Sequence, residues 1–215
     1  MRIRDISILK NDDNKYAFQI FTRGVIQYTS EYEYDDIFNM ENNIESFLKE
    51  DYIRLYKNGL YGVFDGWSCA IIIPIIYEYI RQIQHHPTVI FICKLPNNGG
   101  YDMRDSVGHK INLTKFKSLL YIGEYMSTNQ YLYFFEDDNG VGVLSTEGHI
   151  IIPPNSEYLM EHFRHFKQND YIIIRRKTYL GEDEEETIED YRFDIFLPDG
   201  TLFYENVNNF KFLAI

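Results

Sequence analysis

The chain alternates short apolar runs with clusters of Gly, Asn and Asp. Tyr52-Ile53-Arg54-Leu55-Tyr56 and Tyr131-Leu132-Tyr133-Phe134-Phe135 read as strands, and they lie 79 residues apart. The landmarks after them recur in the same order. Asn58-Gly59 matches Asn139-Gly140, and Gly62-Val63-Phe64 matches Gly142-Val143-Leu144. Ile71-Ile72-Ile73-Pro74 matches Ile150-Ile151-Ile152-Pro153, and Tyr79-Ile80 matches Tyr158-Leu159. A weaker copy lies between them, with Val89-Ile90-Phe91-Ile92, Asn98-Gly99, Ile111, Leu113 and Leu119-Leu120 about 40 residues after the first set. Further copies run through Tyr16-Ala17-Phe18, Gly24-Val25-Ile26 and Tyr34 to Ile37, and through Tyr171 to Ile174 and Tyr191 to Ile195. The pattern predicts one repeat domain over residues 1–215, with repeats at about 1–43, 44–86, 87–128, 129–168 and 169–215.

One repeat can be read physically. A first strand ends at Asn-Gly, which supplies the positive φ of a tight hairpin. A second strand follows, Tyr61 to Asp65 in the second repeat, and then the Ile-Ile-Ile-Pro run. Proline cannot donate to a ladder and marks a strand end or edge. Tyr77 to Ile80 is expected to close the repeat. Such a small sheet cannot bury both faces by itself, and stacking on neighbours buries them.

At these residues the chain resembles the WG-repeat (KWG) family. The carriers are Lys57 to Asp65 with Ile72-Ile73-Pro74 and Tyr77-Glu78-Tyr79-Ile80, and Asn139 to Leu144 with Gly148, Ile151-Ile152-Pro153 and Tyr158-Leu159. The place of the family's Trp holds Tyr16, Tyr61, Tyr101, Val141 and Tyr191. Gly follows in two repeats, while Ala17, Asp102 and Arg192 replace it elsewhere. The resemblance implies an all-β repeat used as a binding module, with no catalytic residues. Five repeats of this size suit a propeller-like closed ring. Both ends of the chain are apolar where an open solenoid wants polar caps, so the ring is favoured over the open β-solenoid.

Composition agrees with strands. The 215 residues include 28 Ile, 19 Tyr and 16 Phe but only three Ala. Residues 39–50 are the expected exception, a helical turn carrying Ile44, Phe47 and Leu48. The net charge of −12 disfavours nucleic acid and anionic membranes and favours a basic protein partner. Arg175-Arg176-Lys177 is too short a basic run to change this. Cys69 and Cys93 read as buried thiols in apolar strands, with a disulfide between them left open. The first residues carry no leader-like apolar region, and no apolar run reaches a membrane span, so a cytoplasmic protein is expected.

No catalytic motif emerges. His162 and His165 share a helical spacing but lack further ligands, and His85-His86-Pro87 reads as a polar linker between repeats. Glu136 to Gly140 lacks calcium-loop spacing. No metal and no cofactor is expected. Two features depart from the repeat. About ten residues, seven of them acidic, replace a tight turn at 181–190, with Glu182, Asp183, Glu184, Glu185 and Glu186 at the centre. Trp67 occupies a turn where the fourth repeat has no aromatic. Both are candidate partner-binding residues. The expected function is a non-catalytic protein-binding module, in its sharpest form a cytoplasmic immunity or antitoxin-like protein blocking a basic partner. The alternative is a propeller binding a small ligand, glycan or peptide, which predicts an equivalent exposed aromatic in each repeat. An enzyme would need convergent acid, base and nucleophile groups, which acids at turns do not supply.

Overall fold

A computed structural model describes residues 4–39, 52–85, 88–111, 115–125, 130–160, 171–177 and 191–207. Among them every regular element is a strand, and all pairing between strands is antiparallel. The expected helical turn lies outside the described residues except for Asn39. The chain divides into two compact halves, residues 1–112 and 113–215.

The first half holds three sheets. Sheet 1 is β1 (Arg4–Lys10), β2 (Tyr16–Thr22) and β3 (Val25–Thr29). Sheet 2 is β4 (Asp36–Asn39), β5 (Tyr52–Lys57), β6 (Leu60–Asp65) and β7 (Ala70–Tyr77). Sheet 3 is β8 (Tyr79–His85), β9 (Thr88–Lys94) and β10 (Tyr101–Asp105). The second half holds two sheets. Sheet 4 is β11 (Ser118–Tyr125), β12 (Gln130–Asp137), β13 (Gly140–Ser145) and β14 (Ile150–Asn155). Sheet 5 is β15 (Tyr158–Leu159), β16 (Ile172–Arg176), β17 (Arg192–Phe196) and β18 (Leu202–Val207).

The sheets phase the repeat differently from the sequence reading. The segment expected to close the second repeat does not pair back on it. Tyr79 and Ile80 open sheet 3 by pairing with Lys94 and Cys93 of β9. The same holds for Tyr158 and Leu159, which pair with Arg176 and Arg175 of β16. Only Glu78 separates β7 from β8, yet the two strands belong to different sheets, so the chain passes from sheet 2 to sheet 3 at that residue.

The apolar faces are buried between sheets. Phe18 and Ile20 of sheet 1 pack with Ile53, Leu55 and Phe64 of sheet 2. Val63 and Ile73, on the other face of sheet 2, pack with Ile80, Val89, Phe91 and Cys93 of sheet 3. In the second half Leu132, Phe134, Val143 and Ile152 of sheet 4 pack with Ile172, Ile174 and Phe196 of sheet 5. Residues such as Val63 and Phe64 face opposite sides because side chains alternate along a strand.

The register identifies equivalent residues. Val63 pairs with Ile73 and Val143 with Ile152, and each pair follows a bulge. At that bulge a Cβ on Gly62 would lie 2.7 Å from the Ile73 carbonyl oxygen, and one on Gly142 would lie 2.7 Å from that of Ile152. This close approach is the physical reason for glycine after the aromatic or Val position. In sheet 5 the residue pairing like Val141 is Phe193, so the expected equivalence at Tyr191-Arg192 is corrected to Phe193-Asp194. The sequence alignment slipped there because the inserted segment precedes β17. Sheets 3 and 5 therefore carry aspartates, Asp102 and Asp194, where sheets 2 and 4 carry glycines.

The turns are varied. Asn58 (φ 54°) and Gly59 (φ 81°) form the expected left-handed pair. Cys69 (φ 51°) is left-handed in a turn before β7 and is half-buried, not in a strand as expected. The turn has four residues between Asp65 and its partner Ala70, and Cys69 fills the left-handed place that Gly108, Gly148 and Gly200 fill in shorter turns. Cys93 is buried in β9, and both thiols are free.

Candidate interaction surface

Two buried polar clusters and one recurring exposed position stand out, and they differ in what they can do. The first cluster lies between sheets 2 and 3. Tyr77 donates its hydroxyl to Asp102 Oδ2 at 2.9 Å, and Arg104 Nε donates to the Tyr77 oxygen at 3.0 Å. Lys110 Nζ stands 2.7 Å from Asp102 Oδ1, an ion pair without hydrogen-bond alignment. Arg104 also donates to the Gly108 carbonyl at 2.6 Å. Burial pushes the Tyr77 phenol up to about 12. The hydrogen bond from Arg104 opposes the rise, and the Asp102 carboxylate adds to it.

The second cluster repeats the chemistry in the other half. Tyr158 donates to Asp194 Oδ2 at 2.9 Å, and Arg176 NH1 approaches the same oxygen at 3.1 Å. The Asn206 amide donates to Asp194 Oδ1 at 2.9 Å, and Arg176 reaches Glu205 at 3.4 Å. Burial, then the Asp194 carboxylate, drives the Tyr158 phenol far above its ordinary value. A second contact accompanies each cluster. A Cβ on Gly108 would fall 2.0 Å from the Ile72 carbonyl oxygen, and one on Gly200 would fall 2.1 Å from that of Ile151. The junctions of sheets 2 and 3 and of sheets 4 and 5 are thus copies of one another. Their polar groups are consumed by one another inside the fold, which makes the clusters devices of packing and register.

The recurring exposed position is different. Ile26, Ile71, Ile150 and Leu202 are all exposed, and each pairs across its sheet at the equivalent place, with Phe21, Phe64, Leu144 and Phe196. In sheet 3 the place is held by Lys110, which bridges to Arg104. The residues at this position are aliphatic in four sheets. Equivalent exposed aromatics, which a small-ligand propeller predicts, do not stand there.

Trp67 is exposed to 64%. Its turn is held by Asp65, which accepts from the Trp67 and Ser68 amides at 3.0 and 2.9 Å. The equivalent turn of sheet 3 carries exposed Val107 and rests on sheet 2, where the Tyr52 hydroxyl donates to the Ser106 carbonyl at 3.0 Å. Trp67 stands on a turn capped by Asp65. Glu182, Asp183, Glu184, Glu185 and Glu186 lie outside the described residues, as do His162 and His165. Asp137 accepts from the Asn139 amide at 2.7 Å, the turn role expected of that acidic tract. His109 and His149 are exposed beside Asp105 and Glu147. Of the basic run, Arg176 is spent on Asp194, and Arg175 stacks 3.5 Å from the centre of the Tyr191 ring. Among the described residues no three His, Cys, Asp or Glu side chains gather as a metal site, and no helix is long and apolar enough to cross a membrane.

The exposed edge strand β18 is not among the candidates that the sequence pattern offers. Leu202, Phe203 and Tyr204 are consecutive and exposed to 46%, 46% and 55%. The signal was present, since three adjacent apolar residues follow the turn Pro198-Asp199-Gly200. It was hidden because a continuous apolar run also suits a buried strand. Charge is unevenly shared as well. Residues 113–215 hold nine Lys and Arg against eighteen Asp and Glu, a net of −9, while residues 1–112 hold twelve against fifteen, a net of −3. No protein-family model and no curated protein matches the chain.

Proposed function

We propose that this protein is a non-catalytic module that binds a basic protein partner. The observation that carries the reading is an exposed aliphatic residue that recurs at one register position in four sheets, on a chain of net charge −12. Aliphatic contacts supply apolar area without directional chemistry, and the charge selects the partner and speeds encounter. A cytoplasmic immunity or antitoxin-like protein that covers a basic enzyme is the form of this reading that fits a small acidic chain. The repeat is read as WG-like on the glycine approaches at Gly62 and Gly142, which supply a reason for the glycine of that pattern. The test is affinity capture from the native host, with the captured protein identified and remade. The expected partner is basic, and its affinity falls as salt rises. An acidic partner, or binding indifferent to salt, would sink the reading.

We also propose that the five sheets follow one another as blades of a closed ring. What supports the reading is the number and size of the sheets, five of three or four antiparallel strands each, following one another in chain order as the blades of a propeller do. A closed, compact arrangement of 215 residues corresponds to a radius of gyration of about 17 Å. Small-angle scattering giving a clearly larger value would favour the open array.

A further inference from the structure

We infer that β18 is the docking edge, where an extended cationic segment of the partner adds to sheet 5 as a further strand. The inference rests on the basic-partner reading and gives it a place. Among the described residues β18 pairs on one side only, with β17, and it stands last in its sheet. Its residues are exposed from Leu202 through Asn206. An edge of this kind offers unpaired backbone groups to an incoming strand.

Comparison with β3, β7 and β14, which stand last in their sheets as β18 does, favours β18. β7 and β14 also stand last in their sheets, but they carry Pro74 and Pro153-Pro154, which remove ladder donors. β3 lacks proline and exposes Val25 and Ile26, but Arg23 precedes it and its half is only weakly acidic. β18 has no proline and exposes three consecutive apolar residues, a run that solvent-facing strands ordinarily avoid. Phe203 is stiffened by stacking on Tyr171, with ring centres 5.3 Å apart. Alternate side chains of an added strand would meet Leu202 and Tyr204, with Asp199 in the turn before them and Glu205 engaged by Arg176. The half carrying this edge holds three quarters of the excess negative charge. An incoming strand of alternating apolar and cationic residues complements both features.

The probe is a fluorescein-labelled peptide of eight residues alternating lysine and valine, with the glutamate–valine peptide as control. Fluorescence anisotropy measures binding, and hydrogen exchange of the full chain locates it. The lysine–valine peptide is expected to bind, to slow exchange of the β18 amides, and to bind at least tenfold more weakly to the Leu202→Ser/Tyr204→Ser variant. Both side chains are half exposed, so that variant is expected to keep the melting temperature of the wild type. Absence of binding, equal binding by the variant, or equal binding of the glutamate–valine peptide overturns the inference. Protection on another strand also overturns it, but leaves the basic-partner reading standing. Sedimentation that finds the wild type dimeric and the variant monomeric assigns the edge to a second copy, and likewise overturns it.

Discussion

Asp102 and Asp194 show how one residue type can replace another at a tight place. A glycine at the bulge of sheets 2 and 4 permits close approach, whereas an aspartate in sheets 3 and 5 is bound by a tyrosine and a cation. The cation should matter more than the phenol. Replacing Tyr158 by Phe removes one hydrogen bond to a carboxylate that keeps Arg176 and the Asn206 amide, and should cost about 1–3 kcal/mol. Arg176→Met leaves Asp194 buried without a countercharge and should cost about 3–5 kcal/mol. Urea unfolding of the two variants checks the order, and equal costs would show that the cation matters no more than the phenol. Tyr77 gives a pH test. Its phenol is raised from 10.0 to about 12, so the folded state favours the protonated form. That contribution is complete below pH 10 and is lost as pH rises through about 12. The urea midpoint should fall over this window, and less steeply in Tyr77→Phe. Asp102 was visible in the sequence only as a departure from glycine. Asp194 was not visible, because the insertion before β17 moved the alignment by two residues.

At the scale of the element, the strands and their order were readable, and the face each residue takes was not. The sequence marks Ile72 and Ile151 as buried equivalents. They are equivalent, but they are half-buried, and the fully enclosed pair is Ile73 and Ile152. An unbroken isoleucine run carries no alternation, so nothing in it distinguishes the two faces. Ile73→Ala and Ile152→Ala should therefore each cost about 2–5 kcal/mol, and the same change at Ile72 or Ile151 should cost less. Calorimetry of the four variants decides between the registers. The turn glycines separate two effects. Gly59 (φ 81°) has open space where a Cβ would go, so Gly59→Ala bears only the backbone strain, about 1–3 kcal/mol. Gly108 (φ 87°) has the Ile72 carbonyl oxygen in that space. Gly108→Ala must also push sheet 3 away from sheet 2, and it should be the more destabilised of the two by thermal melting. Equal losses would mean that the junction yields freely.

For the whole molecule, charge was the most legible property and its distribution the least. Net charge follows from counting, but the division into halves of −3 and −9 needs the boundary near residue 112, which no linker composition marks. The more acidic half also contains the inserted tract Glu182 to Glu186, whose five carboxylates supply more than half of that excess. Charges of one sign draw an oppositely charged partner from beyond contact range, and they act on encounter more than on the finished complex. Replacing all five by Ser should therefore slow association with the basic partner at low salt. The difference should shrink toward physiological ionic strength, where the screening length falls to about 8 Å. Dissociation should change little if the tract lies at the rim, since rim charges act mainly on the association rate. Stability should hold or rise slightly as self-repulsion is relieved. Stopped-flow association at two salt concentrations makes the measurement. If the rate at low salt is unchanged, the tract has no part in steering, and the remaining acidic residues of the half must account for any salt dependence of binding.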